Sequence, residues 1–252
     1  MTGEDTATRR TGLRSLLWPA ALTLAMLPLL VGLGVWQLQR LAWKEGLIAA
    51  ITAETGKPPA PLEEPPEAWK ALGQQEYRPV SVAGRFRHAD ERRLFATEGG
   101  EAGWHIYTPL ETEGGNILFV NRGFVPEALK EPASRAAGEV EGRVAVQGLV
   151  RKPAVKGWFD PDPDTARNVW YWRDLEAMTR SLPEADRARV LPFFVDAMAE
   201  PANPGGWPKG GVTRLDIPNR HLEYALTWFG LAGTLLAVFA AFAWTRLRAA
   251  HA

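Results

Sequence analysis

The sequence predicts a membrane α+β protein: two transmembrane helices flanking a periplasmic antiparallel β-rich domain of barrel- or sandwich-like form. Three observations predict it. Residues 16–39 and 224–245 contain no Asp, Glu, Lys or Arg. Each run exceeds the roughly 20 apolar residues that cross a hydrocarbon core of about 30 Å. Between them, short β-type segments recur at close spacing with little helix, as in antiparallel barrels and sandwiches.

A segment in hydrocarbon must satisfy its own backbone hydrogen bonds, so both runs read as helices, over 16–38 and 224–244. Trp18 and Trp36 near the ends of the first run, and Tyr224, Trp228 and Trp244 near the ends of the second, suit the headgroup zone. A cleaved signal peptide is the competing reading of the first run. That run is longer than a signal core and flows into WQLQRLAWKEGLIAAI without a small-residue cleavage site. Pro19 and Pro28 predict a kink rather than a break. Arg9, Arg10 and Arg14 in the tail 1–15, and Arg246 and Arg248 in the tail 245–252, place both termini in the cytoplasm. Residues 39–223 are then exported. The simplest placement is the inner membrane of a bacterium, because the N-terminal tail is too short and too acidic for an organelle transit peptide.

The exported segment opens by continuing the first helix to about residue 54. Five prolines in residues 57–66 predict a stiff linker. Strands follow at 77–86 and 91–98 around a polar turn. A hairpin is predicted from 104–111 and 116–125, joined by Thr112–Gly115. Further strands are predicted at 141–151, 166–174 and 192–198, with a short helix over 175–181. Pro201–Gly211, with four glycines and three prolines, predicts a loop.

Composition narrows the function. The 252 residues hold 29 basic and 29 acidic side chains, and neutrality gives no electrostatic case for nucleic acid. Cysteine is absent, which removes disulfides, thiolate nucleophiles, cysteine zinc sites and iron–sulfur clusters. No serine sits in a G-x-S-x-G elbow, no two histidines share a helical face, and there is no phosphate loop, so no enzyme is predicted. FDPDPDT at 159–165 lacks the glycine and distant glutamate of a calcium loop and reads as a proline-rich turn. Trp158 with Phe159, and Trp170 with Trp172, read first as core. His105 reads as a satisfied strand histidine. The spacing of Gly233, Ala237 and Ala241 suggests helix packing against Gly32 and Gly34.

His221 stands apart, on the first turn of the second span at the outer interface. Ionisable groups at membrane depth are costly and point to function. Neutral imidazole is an axial ligand for haem iron. Tyr224, Ala225 and Trp228 share its helical face, and Arg220 or Arg214 could pair with propionates. The other reading is an anchor that only hydrogen-bonds to headgroups, and the residues alone leave both open.

The ordered set LGVWQLQRLAWKEGLI, GRF, GWHIYTPL, ILFVNRGFVP, GWFDPDPD, NVWYWRDLEAM, PFFVDA and PNRHLEYALTWFGLA resembles the surfeit-locus family of cytochrome c oxidase assembly factors over about residues 33–244. The resemblance implies a respiratory-chain factor that binds haem a transiently and assists its insertion into the catalytic subunit, with His221 as the iron ligand. With His221 as ligand, Arg220, Tyr224 and Trp228, read above from their place on the same helix end, are the further cofactor-binding residues expected. Its partners would be that subunit, haem a synthase and membrane lipid. It also marks Trp36, Gln37 and Arg40, and Asn121, Arg122, Gly123 and Phe124, for which structural or partner-contact roles are expected. A cofactor-free scaffold that holds oxidase subunits during assembly is the alternative.

Overall fold

The computed structural model describes residues 4–62, 71, 73–215 and 217–249, with side chains from residue 16. The chain forms two compact units, one from its two ends, up to Ala50 and from residue 216, and one from residues 51–215. In chain order the elements are α1 (Glu4–Thr55), β1 (Ala60–Pro61), β2 (Pro79–Phe86), β3 (Arg92–Glu98), β4 (Glu101–Thr112), β5 (Ile117–Pro126), β6 (Val144–Arg151), β7 (Val169–Trp170), α2 (Leu175–Arg180), α3 (Glu184–Arg187), β8 (Val190–Ala197) and α4 (His221–Ala249).

In the helical unit, α1 runs through Pro19 and Pro28 without interruption. Both α1, from Leu16, and α4 are long and apolar enough to cross a membrane. Most of their large apolar side chains are exposed, among them Trp18, Leu24, Leu226 and Val238, as expected of surfaces that meet lipid. Arg246 and Arg248 lie in the last turn of α4, where cations oppose the negative end of the helix dipole. The small-residue stripe needs correction. Ala225 and Ala232 are the buried residues of α4. Gly233, Ala237 and Ala241 are exposed, and Gly32 has open space beside it. Gly34 is the glycine that packs, because a Cβ there would lie 2.6 Å from the Phe229 ring.

In the β unit, five strands close into a ring. β2 pairs with β6, β6 with β8, β8 with β5 and β5 with β4. β4 returns to β2 through Gly84–Thr112, Arg85–Glu111 and Phe86–Leu110. β4 is long enough to carry β3 on the rest of that edge, from Glu101 to Tyr107, and β3 carries β7. Closure removes the free edges that an open sheet would expose. One apolar cluster holds Val80, Val82, Leu110, Leu118, Val120, Val150, Leu191, Phe193 and Val195. A second holds Tyr107, Ile117, Phe119, Phe194, Trp170, Met178 and Leu182. Alternate residues of β5 feed the two clusters, so both faces of that strand are covered. That is why NILFVNRGFV reads as a continuous run rather than an alternation. The Asp174 side chain caps α2 by accepting from the Ala177 amide at 2.9 Å, which seats Ala177 and Met178 against the sheet.

The predicted hairpin is present, with β4 and β5 joined by residues 113–116. Other expectations are corrected. The sheet is not wholly antiparallel, because β1–β2, β3–β7 and β5–β8 pair in parallel. The strand expected over 166–174 shrinks to Val169–Trp170, since Asp164, Thr165, Asn168 and Val169 close a turn on one another. Part of the proline-rich linker is a short parallel strand on β2, held where Leu62 N donates to Ser81 O at 2.8 Å. Residues 63–66 of that linker lie outside the described residues. Trp170 is core, but Trp158 and Phe159 are 93% and 92% exposed.

Candidate functional site

The site starts at the first turn of α4. Pro218 blocks helix upstream, and the first intrahelical bond runs from the Tyr224 amide to the Arg220 carbonyl at 3.3 Å. His221 is therefore the first helical residue and is half-buried. Its Nδ1 lies 2.7 Å from Oε1 of Gln37 on α1. An amide oxygen only accepts, so the ring donates from Nδ1, and a neutral imidazole then carries its lone pair on Nε2. Nε2 has no hydrogen-bond partner among the described residues. A ring held from one side with its other nitrogen open could coordinate a metal centre. The described residues contain no cluster of three or more His, Asp or Glu able to hold a bare metal ion.

A second tie lies further along α1, where Lys44 Nζ donates to the Pro218 carbonyl. Gln37 and Lys44 are seven residues apart, two turns along one helical face. Together they hold the chain on either side of the turn into α4.

The other predicted residues occupy the same helix end. Arg220 is exposed and pairs with Glu223 at 3.2 Å, Tyr224 is 54% exposed, and Trp228 is half-buried. Arg214 is drawn elsewhere, donating to the Thr97 carbonyl at 2.9 Å and pairing with Glu98 at 3.3 Å in the β unit. Trp36 is exposed, and Arg40 stacks on Trp43 with its guanidinium carbon 4.0 Å from the ring centroid. Gln37 is the contact to His221 that charge and histidine counting passed over. Its signal was available, as a polar amide inside an otherwise apolar run must find a partner.

The NRGF segment is structural. Asn121 Nδ2 donates to Asp196 at 3.1 Å, and Asp196 also receives Arg151 and Thr213, each at 2.7 Å. Arg122, 1% exposed, donates to the Gly138 carbonyl and to Asn203 Oδ1 at 3.2 Å, and its guanidinium lies over Phe86. Arg122 and Asn203 wall a cleft of about 230 Å³ against β6. His105 is half-buried and edge-on to Phe124, and burial pushes its imidazole below the ordinary value.

His88 and Glu139 form a titrating pair, Nδ1 to Oε2 at 2.6 Å. Burial pushes the imidazole down, but the Glu139 hydrogen bond, the Val140 carbonyl and the Glu139 charge outweigh burial and Arg122, leaving it raised. Burial likewise pushes the Glu139 carboxyl up, and His88, Arg122 and Arg135 overcome that, leaving it lowered. A raised imidazole contributes stability below its unfolded value, near 6.5, and loses it as pH rises through the folded value. A lowered carboxyl contributes above its unfolded value, near 4.5, and loses it as pH falls. The stability lost in His88→Ala, read from urea midpoints, is therefore expected to be largest between those two values and to shrink above neutrality. A loss that grows with pH would contradict the pairing.

The fold and site define a class: a chain with two helices able to span a membrane, a β-barrel domain between them, and a half-buried histidine at a helix start. The chain belongs to the SURF1 family, which its sequence matches over residues 24–233. It is 39% identical to a SURF1-like protein of Monosiga brevicollis, over 82% of this chain and 81% of that protein. It is 39% identical to Surfeit locus protein 1 of Homo sapiens, over 80% of this chain and 69% of that one. With Surfeit locus protein 1 of Takifugu rubripes the identity is 37%, over 84% and 91%.

Proposed function

We propose that this protein is an assembly factor for haem–copper cytochrome c oxidase that binds haem a through His221 and assists its insertion into the catalytic subunit. Membership of the SURF1 family supports the oxidase role. The observation that carries the haem reading is the His221 ring, with Nδ1 held by Gln37 and Nε2 without a hydrogen-bond partner among the described residues. Arg220, exposed at the same helix end, would pair with a propionate, and Tyr224 and Trp228 would offer ring faces to the macrocycle. His221 alone would hold the haem iron there, and a single protein ligand suits cargo that has to be released. Haem a synthase fits as donor and the catalytic subunit as acceptor. The basic flanks of the two spans support a two-pass topology in a bacterial inner membrane, with the barrel in the periplasm.

The test is the visible spectrum of the detergent-purified protein from a host that makes haem a. The expected result is a haem a band that His221→Ala abolishes. An unchanged band in that variant would exclude His221 as the ligand. Absence of a band in both proteins would favour the cofactor-free scaffold, which draws its own support from the exposed Val155, Trp158 and Phe159.

A further inference from the structure

We propose that Gln37 is a positioning residue for His221: it fixes the ring in the Nδ1–H tautomer and so keeps the Nε2 lone pair free for iron. The inference rests on the haem reading above for its function, but not for its geometry. The Gln37 oxygen, 2.7 Å from Nδ1, accepts the only proton a neutral imidazole carries. Without that acceptor the ring is free to carry its proton on Nε2, where it would block the ligand position. A metal-bound histidine generally donates its other N–H to a partner that fixes the tautomer and raises the basicity of the ligating nitrogen. Here that partner comes from the other helix, so the ring is preset only when α1 and α4 are packed. Gly34, one turn earlier on α1, accepts Phe229 against its backbone, and Lys44 ties the Pro218 carbonyl. The Gly34–Phe229 packing holds the two helices in the register that brings amide and imidazole together, while the Lys44 tie fixes only the chain ahead of α4. The ligand therefore belongs to the helix pair rather than to α4 alone.

The experiment uses the full chain in detergent with ¹⁵N-labelled histidine, free of haem, at a pH where the ring is neutral. His221→Ala identifies the resonance. The wild-type ring is expected to show a protonated Nδ1 and a bare Nε2. Gln37→Leu should shift the proton to Nε2. Gln37→Glu, which keeps an acceptor, should restore the wild-type pattern. Lys44→Met, which removes the other tie, should leave the tautomer unchanged. The same variants are then titrated with haemin. Gln37→Leu is expected to weaken binding about 10- to 100-fold, the effect of losing such a supporting partner. Gln37→Glu should bind and lower the iron midpoint potential, because a carboxylate makes the ring a stronger donor. A wild-type ring protonated at Nε2, or a Gln37→Leu spectrum identical to wild type, overturns the assignment. So does a Lys44→Met shift as large as that of Gln37→Leu, since it would reduce Gln37 to one of several packing contacts. A His221→Ala protein that binds haemin as wild type does overturns the haem reading alone and leaves the tautomer result standing.

Discussion

Arg135→Met is expected to cost the β unit about 3–5 kcal/mol, the loss typical of breaking a buried ion pair on one side. The Arg135 side chain is fully buried, and its Nη2 donates to both oxygens of Glu91, at 2.7 and 2.6 Å. Glu91 is itself 3% exposed. The same guanidinium also reaches Glu139, and its Nε donates to the Leu129 carbonyl at 3.2 Å. Removing it leaves the Glu91 carboxylate, in a low-dielectric site, to the longer contact from Arg93 Nε at 3.3 Å. Domains hold only about 5–15 kcal/mol in all, so the urea midpoint should fall by about a fifth or more. Arg135→Met combined with Glu91→Leu should recover part of the loss, because an apolar pair of similar volume is no longer a buried charge. A single variant that melts with the wild type would show that water reaches Glu91.

Gly123→Ala is the second large effect, about 3 kcal/mol or more. Gly123 sits at φ +124°, which an L side chain rarely adopts. It also sits at the irregularity between β4 and β5, where the register jumps between His105 and Tyr107. The segment 207–210 crosses there, and Phe124 and Lys209 exchange backbone hydrogen bonds at 2.9 Å in both directions. An added Cβ would lie 1.9 Å from the Lys209 carbonyl oxygen and 2.5 Å from the Gly210 nitrogen. Both are backbone atoms, so no side chain can swing aside. Gly142→Ala supplies the comparison. Gly142 has φ +84° but open space around it, so only about 1 kcal/mol of backbone strain is expected. Equal midpoints for the two variants would remove the crossing segment from the explanation.

Much of this architecture is legible in local pattern. The two charge-free runs, the hairpin across residues 113–116 and the cap at Asp174 each write their structure into neighbouring residues. What is not legible depends on distance. The parallel pairing of β5 with β8 joins Ile117 to Val190, and no local periodicity encodes it. β1 was hidden in a proline-rich stretch, because an edge strand accepts proline where a central one does not. Trp170 and Trp158 are the same residue type with opposite fates, set by what packs over them. At the site, His221 was visible as an ionisable residue at membrane depth. The pairing of that ring with Gln37 was not, because the two residues lie 184 apart in the chain and only the packing of α1 on α4 brings them together.

β8 is the slat that turns the sheet into a barrel, and it is the last strand to be made. Before residues 190–197 exist, β6, β2, β4 and β5 can pair only as an open ribbon, with β6 and β5 as its raw borders. Unpaired borders of that kind recruit other strands. A nascent chain therefore passes through a stage that is adhesive by construction, and the final slat ends it by filling both borders in one step. The barrel shuts from the C-terminal end, just before the chain turns back toward its second span.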